Sequence, residues 1–197
     1  IEEFFDVAKA FVYQPPAEGD GIVVLTDAGG PGVMVVDEIE SRGVMIRSPS
    51  KQTLGRMEDL KKSGRIPPFA STHNPIDLTG SVTSEMFELC TRVLFEDIQV
   101  HGIVVIGLHH VPGLKEDFVD RIANIARSRA KPLVACDIGE TEMALYGRSR
   151  FEKLGIPCYE TPEDAARAIS ALVKYGNYLK QNDCYQVYMK EFMARSA

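Results

Sequence analysis

Gly21-Ile-Val-Val-Leu-Thr-Asp-Ala-Gly-Gly-Pro-Gly-Val33 is the stretch that decides the fold. Its apolar part, residues 22–26, has the length and the β-branched content of a buried strand, and residues 32–42 have the pattern of a helix. The glycines between them let the backbone turn sharply from strand to helix. A strand, a tight turn and a helix in this order are typical of the first unit of a parallel α/β sheet.

The same alternation continues along the rest of the chain. Further strands are predicted at residues 44–47, 75–79, 102–108, 132–136 and 157–159, and helices at residues 51–62, 83–96, 114–128 and 140–154 and from residue 161 onward. Crossovers between parallel strands are right-handed and place helices on both faces of the sheet. The sequence therefore predicts an α/β fold with a doubly wound, mostly parallel sheet of five to six strands. Such sheets bind ligands outside the carboxyl ends of their strands, so the loops at that edge are the candidate sites.

Three parts are predicted along the chain. They are a lead-in helix and linker at residues 1–20, one domain at residues 21–180 and a helical tail at residues 181–197. The aromatic residues of the tail fit either a contact surface or a locally packed helix. Because the first residue is Ile and not Met, we expect the sequence to be cut from a longer protein.

Composition and charge exclude several classes of protein. The chain has 28 acidic and 22 basic residues, a net charge of -6, and no basic stripe, which argues against nucleic acid as a partner. Its apolar runs are too short to cross a bilayer, which argues against a membrane role. Its four cysteines are widely spaced, which argues against zinc ligation and a disulfide framework and favours a reducing, cytoplasmic location.

The first candidate site is the loop between the first strand and its helix. A helix N-terminus offers unpaired N–H groups and a partial positive charge, and glycines let the backbone approach a ligand. We therefore expect a phosphate-like anion on the N–H groups of Gly29, Gly30 and Gly32, with Ala28 and Pro31 in the same loop. The loop lacks the Walker A ending and the usual dinucleotide fingerprint, so it does not support ATP or NAD binding. A tight turn without a ligand is the alternative.

A second polar loop lies close to the same predicted edge. Asn74 and Thr79 can donate hydrogen bonds to an anion, and Gly80 follows them. Asp77 would repel a phosphate unless its carboxylate is turned toward backbone N–H groups. Its expected role is to hold the loop, and Asp27 in the first loop is a further expected polar contact.

The third polar loop contains adjacent histidines, His109 and His110, after the predicted central strand. Neighbouring residues point in different directions, and no partner stands at a metal-ligand spacing. We predict no metal site and expect polar contacts at the end of the strand. Asp137 and Asp27 could suggest a phospho-acceptor receiver domain, but the required acidic pair and later Lys are not in place.

Three ordered motifs carry a resemblance to a known family. The opening stretch, Asn74-Pro-Ile-Asp-Leu-Thr-Gly80 and Gly155-Ile-Pro-Cys-Tyr-Glu-Thr-Pro-Glu-Asp-Ala166 resemble the last α-chain domain of ADP-forming acetyl-CoA synthetases, the NDP-forming acyl-CoA synthetase family. The match runs from about Phe4 to Lys180. It implies a flavodoxin-like domain of the succinyl-CoA synthetase type and the reaction of acyl-CoA, ADP and phosphate to acid, CoA and ATP. Asp27 departs from the pattern, because the family usually has Asn there.

The resemblance also implies what this chain lacks. The family's phosphohistidine lies in a Ser-His-Thr-Gly type motif of a preceding domain, and that motif does not occur here, so no catalytic residue is expected in this chain. No cofactor is expected in this domain, whereas CoA, ADP or ATP and Mg belong to the parent enzyme. The expected partners are its CoA-binding and ATP-grasp domains, and the domain alone should be inactive. The alternative is a regulatory ligand-binding or docking domain of an acetyltransferase-fused relative.

Overall fold

One sheet of five parallel strands forms the centre of the structure, a computed structural model that describes the backbone of residues 1–196 and the side chains of residues 1–195. The strands are β1 (Ile22–Thr26), β2 (Ile76–Asp77), β3 (Gly102–Ile106), β4 (Leu133–Cys136) and β5 (Cys158–Tyr159). Their order is β2-β1-β3-β4-β5, and every neighbouring pair is parallel. This is the flavodoxin-like order, which confirms the predicted fold.

Helices flank the sheet and bury its central strands. They are α1 (Glu2–Tyr13), α2 (Gly29–Ser41), α3 (Lys51–Lys62), α4 (Ser84–Phe95), α5 (Asp117–Ala126), α6 (Glu142–Lys153), α7 (Pro162–Gln181) and α8 (Tyr185–Ser196). α7 packs against α1 and α2, and α4 packs against α3 and α5. Every residue of β1, β3 and β4 is buried, as expected for strands covered on both faces.

Local sequence fixes several helix starts. The hydroxyl of Thr161 accepts a hydrogen bond from the N–H of Asp164 at 3.2 Å, and Pro162 occupies the first turn of α7. Ser50, Thr83 and Thr141 cap α3, α4 and α6 in the same way. No helix within residues 1–196 is long and apolar enough to cross a membrane.

The sheet has five strands and not six because the segment predicted as a strand at residues 44–47 makes only one bridge, between Ile22 and Ile46. The side chain of Asn74 lies between this segment and β1. Its Oδ1 accepts a hydrogen bond from the N–H of Val24 at 2.9 Å, and its Nδ2 donates to the carbonyls of Ile22 at 2.8 Å and Arg47 at 2.9 Å. The amide thus takes hydrogen-bonding positions at the edge of β1 that a neighbouring strand would otherwise use.

Residues 14–17 of the predicted linker are buried in the domain. Gln14 donates from Nε2 to the carbonyl of Gly155 at 2.6 Å and accepts from the N–H of Leu133 at 2.9 Å. The hydroxyl of Tyr185 in α8 donates to the carbonyl of Pro16 at 3.1 Å. The lead-in helix and the tail therefore pack on the same domain. The side chains of Tyr185 and Phe192 in the tail are buried, which favours a locally packed helix over a contact surface.

Candidate functional site

The carboxyl ends of the strands bring the predicted loops to one edge of the sheet. β2 lies on one side of β1, and β3, β4 and β5 follow on the other side. The order in which strands are added to the sheet therefore reverses at β1, which puts the topological switch point between β1 and β3. Open α/β sheets bind ligands in the crevice that forms at such a switch point. The turn from β1 to α2 lies at this point.

The β1–α2 turn exposes a helix N-terminus. Thr26 fixes the turn, because its Oγ1 accepts from the N–H of Ala28 and donates to the carbonyl of Ala28, both at 2.9 Å. α2 begins at Gly29, earlier than the predicted residue 32. Within the described residues, the N–H groups of Gly29 and Gly30 have no hydrogen-bond partner, whereas that of Gly32 donates to Ala28 at 3.1 Å. Two of the three predicted glycine N–H groups are therefore free for an anion.

The loop after β2 lies directly beside this helix start. Thr26 and Asp77 are partners in the sheet register, and a Cβ on Gly29 would be 2.8 Å from Oδ2 of Asp77. Gly29 is thus required for the close approach of the two loops. Oδ1 of Asp77 accepts from the N–H of Thr79 at 2.8 Å, and Thr79 has a left-handed backbone with φ of 64°. Asp77 thus accepts a hydrogen bond within its own loop and also places a carboxylate beside Gly29.

Asp27 is buried between β1 and the loop after β3. Its two carboxylate oxygens lie 3.3 and 3.1 Å from the N–H of Leu108, which donates to them. Burial raises the pKa of Asp27 to about 7, the Leu108 N–H opposes this shift, and the negative charges of Asp137 and Asp77 add to it. Asp27 therefore changes its charge near neutral pH.

A buried His–Asp pair forms the next part of the edge. Nδ1 of His109 is hydrogen-bonded to Oδ2 of Asp137, and since a carboxylate only accepts, Nδ1 carries the proton. The imidazole ring of His109 packs edge-on against the ring of Phe118, with the two ring centroids 5.4 Å apart. Gly147 of α6 also lies against the imidazole ring. Nε2 of His109 is buried and finds no hydrogen-bond partner within the described chain. Arg148 supports the pair by donating to the backbone carbonyl of Asp137 at 2.9 Å.

The hydrogen bond of Asp137 to His109 was not predicted from the sequence, although the position of Asp137 could have indicated a site residue. Asp137 follows an apolar strand directly, just as Asp27 follows β1. His109 contacts Asp137 through its ring and its backbone N–H. His110, the next residue, is exposed. The predicted anion contact of Asn74 needs correction, because both hydrogens of its amide are donated to backbone carbonyls beside β1.

The remaining predicted residues lie around the helix start. Pro31, which has no N–H, is in the first turn of α2, and Gly80 is exposed after Thr79. The hydroxyls of Thr79 and Ser81 are 3.0 Å apart. Among the described residues, no cluster of three or more His, Cys, Asp or Glu side chains could hold a metal ion.

Residues 22–177 match the model of the Ligase-CoA domain, and the chain therefore belongs to that family. It is 34% identical over 182 residues to the acetate–CoA ligase [ADP-forming] I subunit alpha of Pyrococcus furiosus, covering 90% of this chain and 37% of the relative. It is 29% identical over 194 residues to the acetate–CoA ligase [ADP-forming] of Methanocaldococcus jannaschii, covering 96% of this chain and 27% of the relative.

A solved structure shows the same relationship. The apo dinucleotide-forming acetyl-coenzyme A synthetase 1 of Ca. Korarchaeum cryptofilum superposes with a TM-score of 0.77 at 29% identity, covering 97% of this chain and 40% of that chain. The same synthetase has also been solved in complex with phosphate and ADP, with a TM-score of 0.77. The chain thus spans well under half the length of the relatives that it matches.

Proposed function

We propose that this chain is one domain of an ADP-forming acyl-CoA synthetase and that the N-terminus of α2 holds a phosphoryl group during the reaction. The parent would convert acyl-CoA, ADP and phosphate to acid, CoA and ATP. The observation that carries the proposal is the pair of free N–H groups of Gly29 and Gly30 at the switch point of the sheet. The names of the relatives, which are ADP-forming acetate–CoA ligases, supply the reaction class.

The chemistry of this chain is binding and charge stabilisation. The N–H groups of Gly29 and Gly30 would donate to phosphoryl oxygens, and the partial positive charge of the helix start would favour the anion. Donors that are fixed before the reaction need no reorganisation when charge moves. Thr26 supplies this rigidity, because both of its hydroxyl contacts to Ala28 hold the turn in place.

Other steps belong to other parts of the proposed parent. The phosphohistidine would reside on another domain, and CoA-binding and ATP-grasp domains would bind CoA and the nucleotide. Magnesium, which the resemblance assigns to the parent enzyme, would also be held by other domains. We further propose a cytoplasmic location, which fits the three buried cysteines that are free thiols.

The test compares Gly30→Asp with Gly30→Asn in the complete parent enzyme. A Cβ on Gly30 would meet no atom within 4 Å, so both side chains fit. They have nearly the same shape, but only Asp adds a negative charge at the helix start, which stabilises the helix and repels an anion. The measurement is acyl-CoA-dependent ATP formation from ADP and phosphate.

We expect Gly30→Asp to lose at least about tenfold more activity than Gly30→Asn, because an added negative charge beside a bound anion weakens the binding of that anion by more than about 1 kcal/mol. Equal activity of the two variants would show that no anion binds there. A complete parent that forms no ATP with any acyl-CoA, while this domain binds a small effector by itself, would favour the regulatory alternative.

A further inference from the structure

The anion site of the proposed function lies among acidic side chains. Asp77 at the end of β2 contacts Gly29, and Asp27 directly precedes Ala28, the N-cap residue of α2. Asp137 at the end of β4 acts on Asp27 through its charge. An anion on the N–H groups of Gly29 and Gly30 would therefore sit close to negative charge. This arrangement opposes binding unless one of the carboxylates becomes neutral.

We propose that Asp27 controls the affinity of this site: an anion binds well when Asp27 is protonated and poorly when Asp27 is ionised, so that binding takes up a proton. This inference rests on the proposed function, because it concerns the same site.

The position of Asp27 makes it the carboxylate best suited to this role. Asp77 is turned to the N–H of Thr79 and is only half-buried, and Asp137 is bound to the ring of His109. Asp27 is 4% exposed, and its carboxylate receives hydrogen bonds from the backbone N–H of Leu108 and no ion pair within the described residues. A buried charge with so few partners is costly, and protonation removes that cost.

The charged groups that face Asp27 come from each neighbouring element. Asp77 belongs to β2, Asp137 directly follows β4, and His109, bound to Asp137, lies in the loop after β3. α2 has no acidic side chain in its first turn and contributes the partial positive charge of its N-terminus. Burial is the main cause of the raised pKa of Asp27, and the charges of the two aspartates add to it, which brings its change of charge into the neutral range. A bound anion would raise it further, and by reciprocity protonation would strengthen anion binding.

The experiment measures sulfate binding to this chain by calorimetry at pH 6 and pH 8. Sulfate is the probe because it keeps two negative charges over this range, whereas inorganic phosphate changes its own charge. We expect the dissociation constant of the wild-type chain to increase about tenfold or more from pH 6 to pH 8, because an ionised Asp27 repels the dianion. Asp27→Asn should bind sulfate with nearly the same affinity at both pH values. The control Asp37→Asn, at an exposed position of α2, should behave like the wild type.

The outcomes separate this inference from the proposed function. Wild-type sulfate binding that is equal at both pH values and takes up no proton, measured in two buffers of different ionisation enthalpy, would overturn the control by Asp27 and leave the site intact. Absence of sulfate binding at pH 6, or binding that Gly30→Asp does not weaken, would overturn the site itself and the proposed function with it. The proton-uptake measurement uses the wild-type chain, so it decides the question even if Asp27→Asn does not fold.

Discussion

Asp137 binds His109 twice, through the ring Nδ1 and through a long contact of 3.4 Å to the backbone N–H. Asp137 directly follows β4, and His109 lies in the loop after the neighbouring strand β3, three residues beyond Ile106. Asp27 makes the matching contact from the other side, where it accepts from the N–H of Leu108. The loop after β3 is therefore held by two carboxylates, Asp27 after β1 and Asp137 after β4.

Removal of the Asp137 carboxylate should destabilise the domain. Asp137→Ala leaves the buried Nδ1–H of His109 without an acceptor, so we expect the free energy of unfolding to fall by about 2–4 kcal/mol. Urea denaturation followed by circular dichroism measures this change. The control Asp37→Ala is exposed and should stay within about 0.5 kcal/mol of the wild type. An equally small effect for Asp137→Ala would mean that the pair contributes little to folding.

Gly147→Ala tests how closely α6 packs on the same pair. A Cβ at this position would lie 2.6 Å from Cε1 of His109 and 3.1 Å from Oδ2 of Asp137. We expect a loss of about 1–3 kcal/mol in the free energy of unfolding, because the buried pair must shift. Gly55→Ala is the matched control, since Gly55 is also inside a helix and its added Cβ meets no atom within 4 Å. That variant should gain about 0.5–1 kcal/mol, so a gain for both variants would contradict the predicted contact.

Asp27→Asn should change how stability depends on pH. The folded state holds the Asp27 proton up to a pKa of about 7, whereas the ordinary pKa of an Asp side chain is 3.8. Between these values the folded state binds more protons than the unfolded state, so the free energy of unfolding falls as the pH rises. Asn cannot ionise, and its oxygen can still accept from the N–H of Leu108.

The variant should therefore become more stable relative to the wild type by roughly 3 kcal/mol between pH 4 and pH 8. Thermal and urea denaturation of both proteins across this range provide the measurement. Burial lowers the pKa of His101, which weakens folding below its unfolded pKa, but this contribution is common to both proteins and cancels in the difference. A constant difference in stability at all pH values would show that Asp27 does not titrate in this window.

Strand and helix types were predictable where periodicity was strong, as in residues 22–26 and 102–106. The edge of the sheet was not, because Asn74 occupies hydrogen-bonding positions that the pattern assigns to a strand. The glycine loop was found from its position between strand and helix. Its contact with Asp77 and the His109–Asp137 pair depend on strand order, which brings together residues far apart in the sequence.

Residues 14–17 have the composition of a linker but are buried in the structure. Gln14 is 2% exposed and connects the N–H of Leu133 in β4 with the carbonyl of Gly155 after α6. Gln14→Ala leaves both backbone groups without this partner, so we expect a loss of about 2–4 kcal/mol in the free energy of unfolding. Gln52→Ala, at an exposed position of α3, is the control and should change stability by less than about 0.5 kcal/mol. If the two variants are equally stable in urea denaturation, the hydrogen bonds of Gln14 contribute little to the stability of the fold.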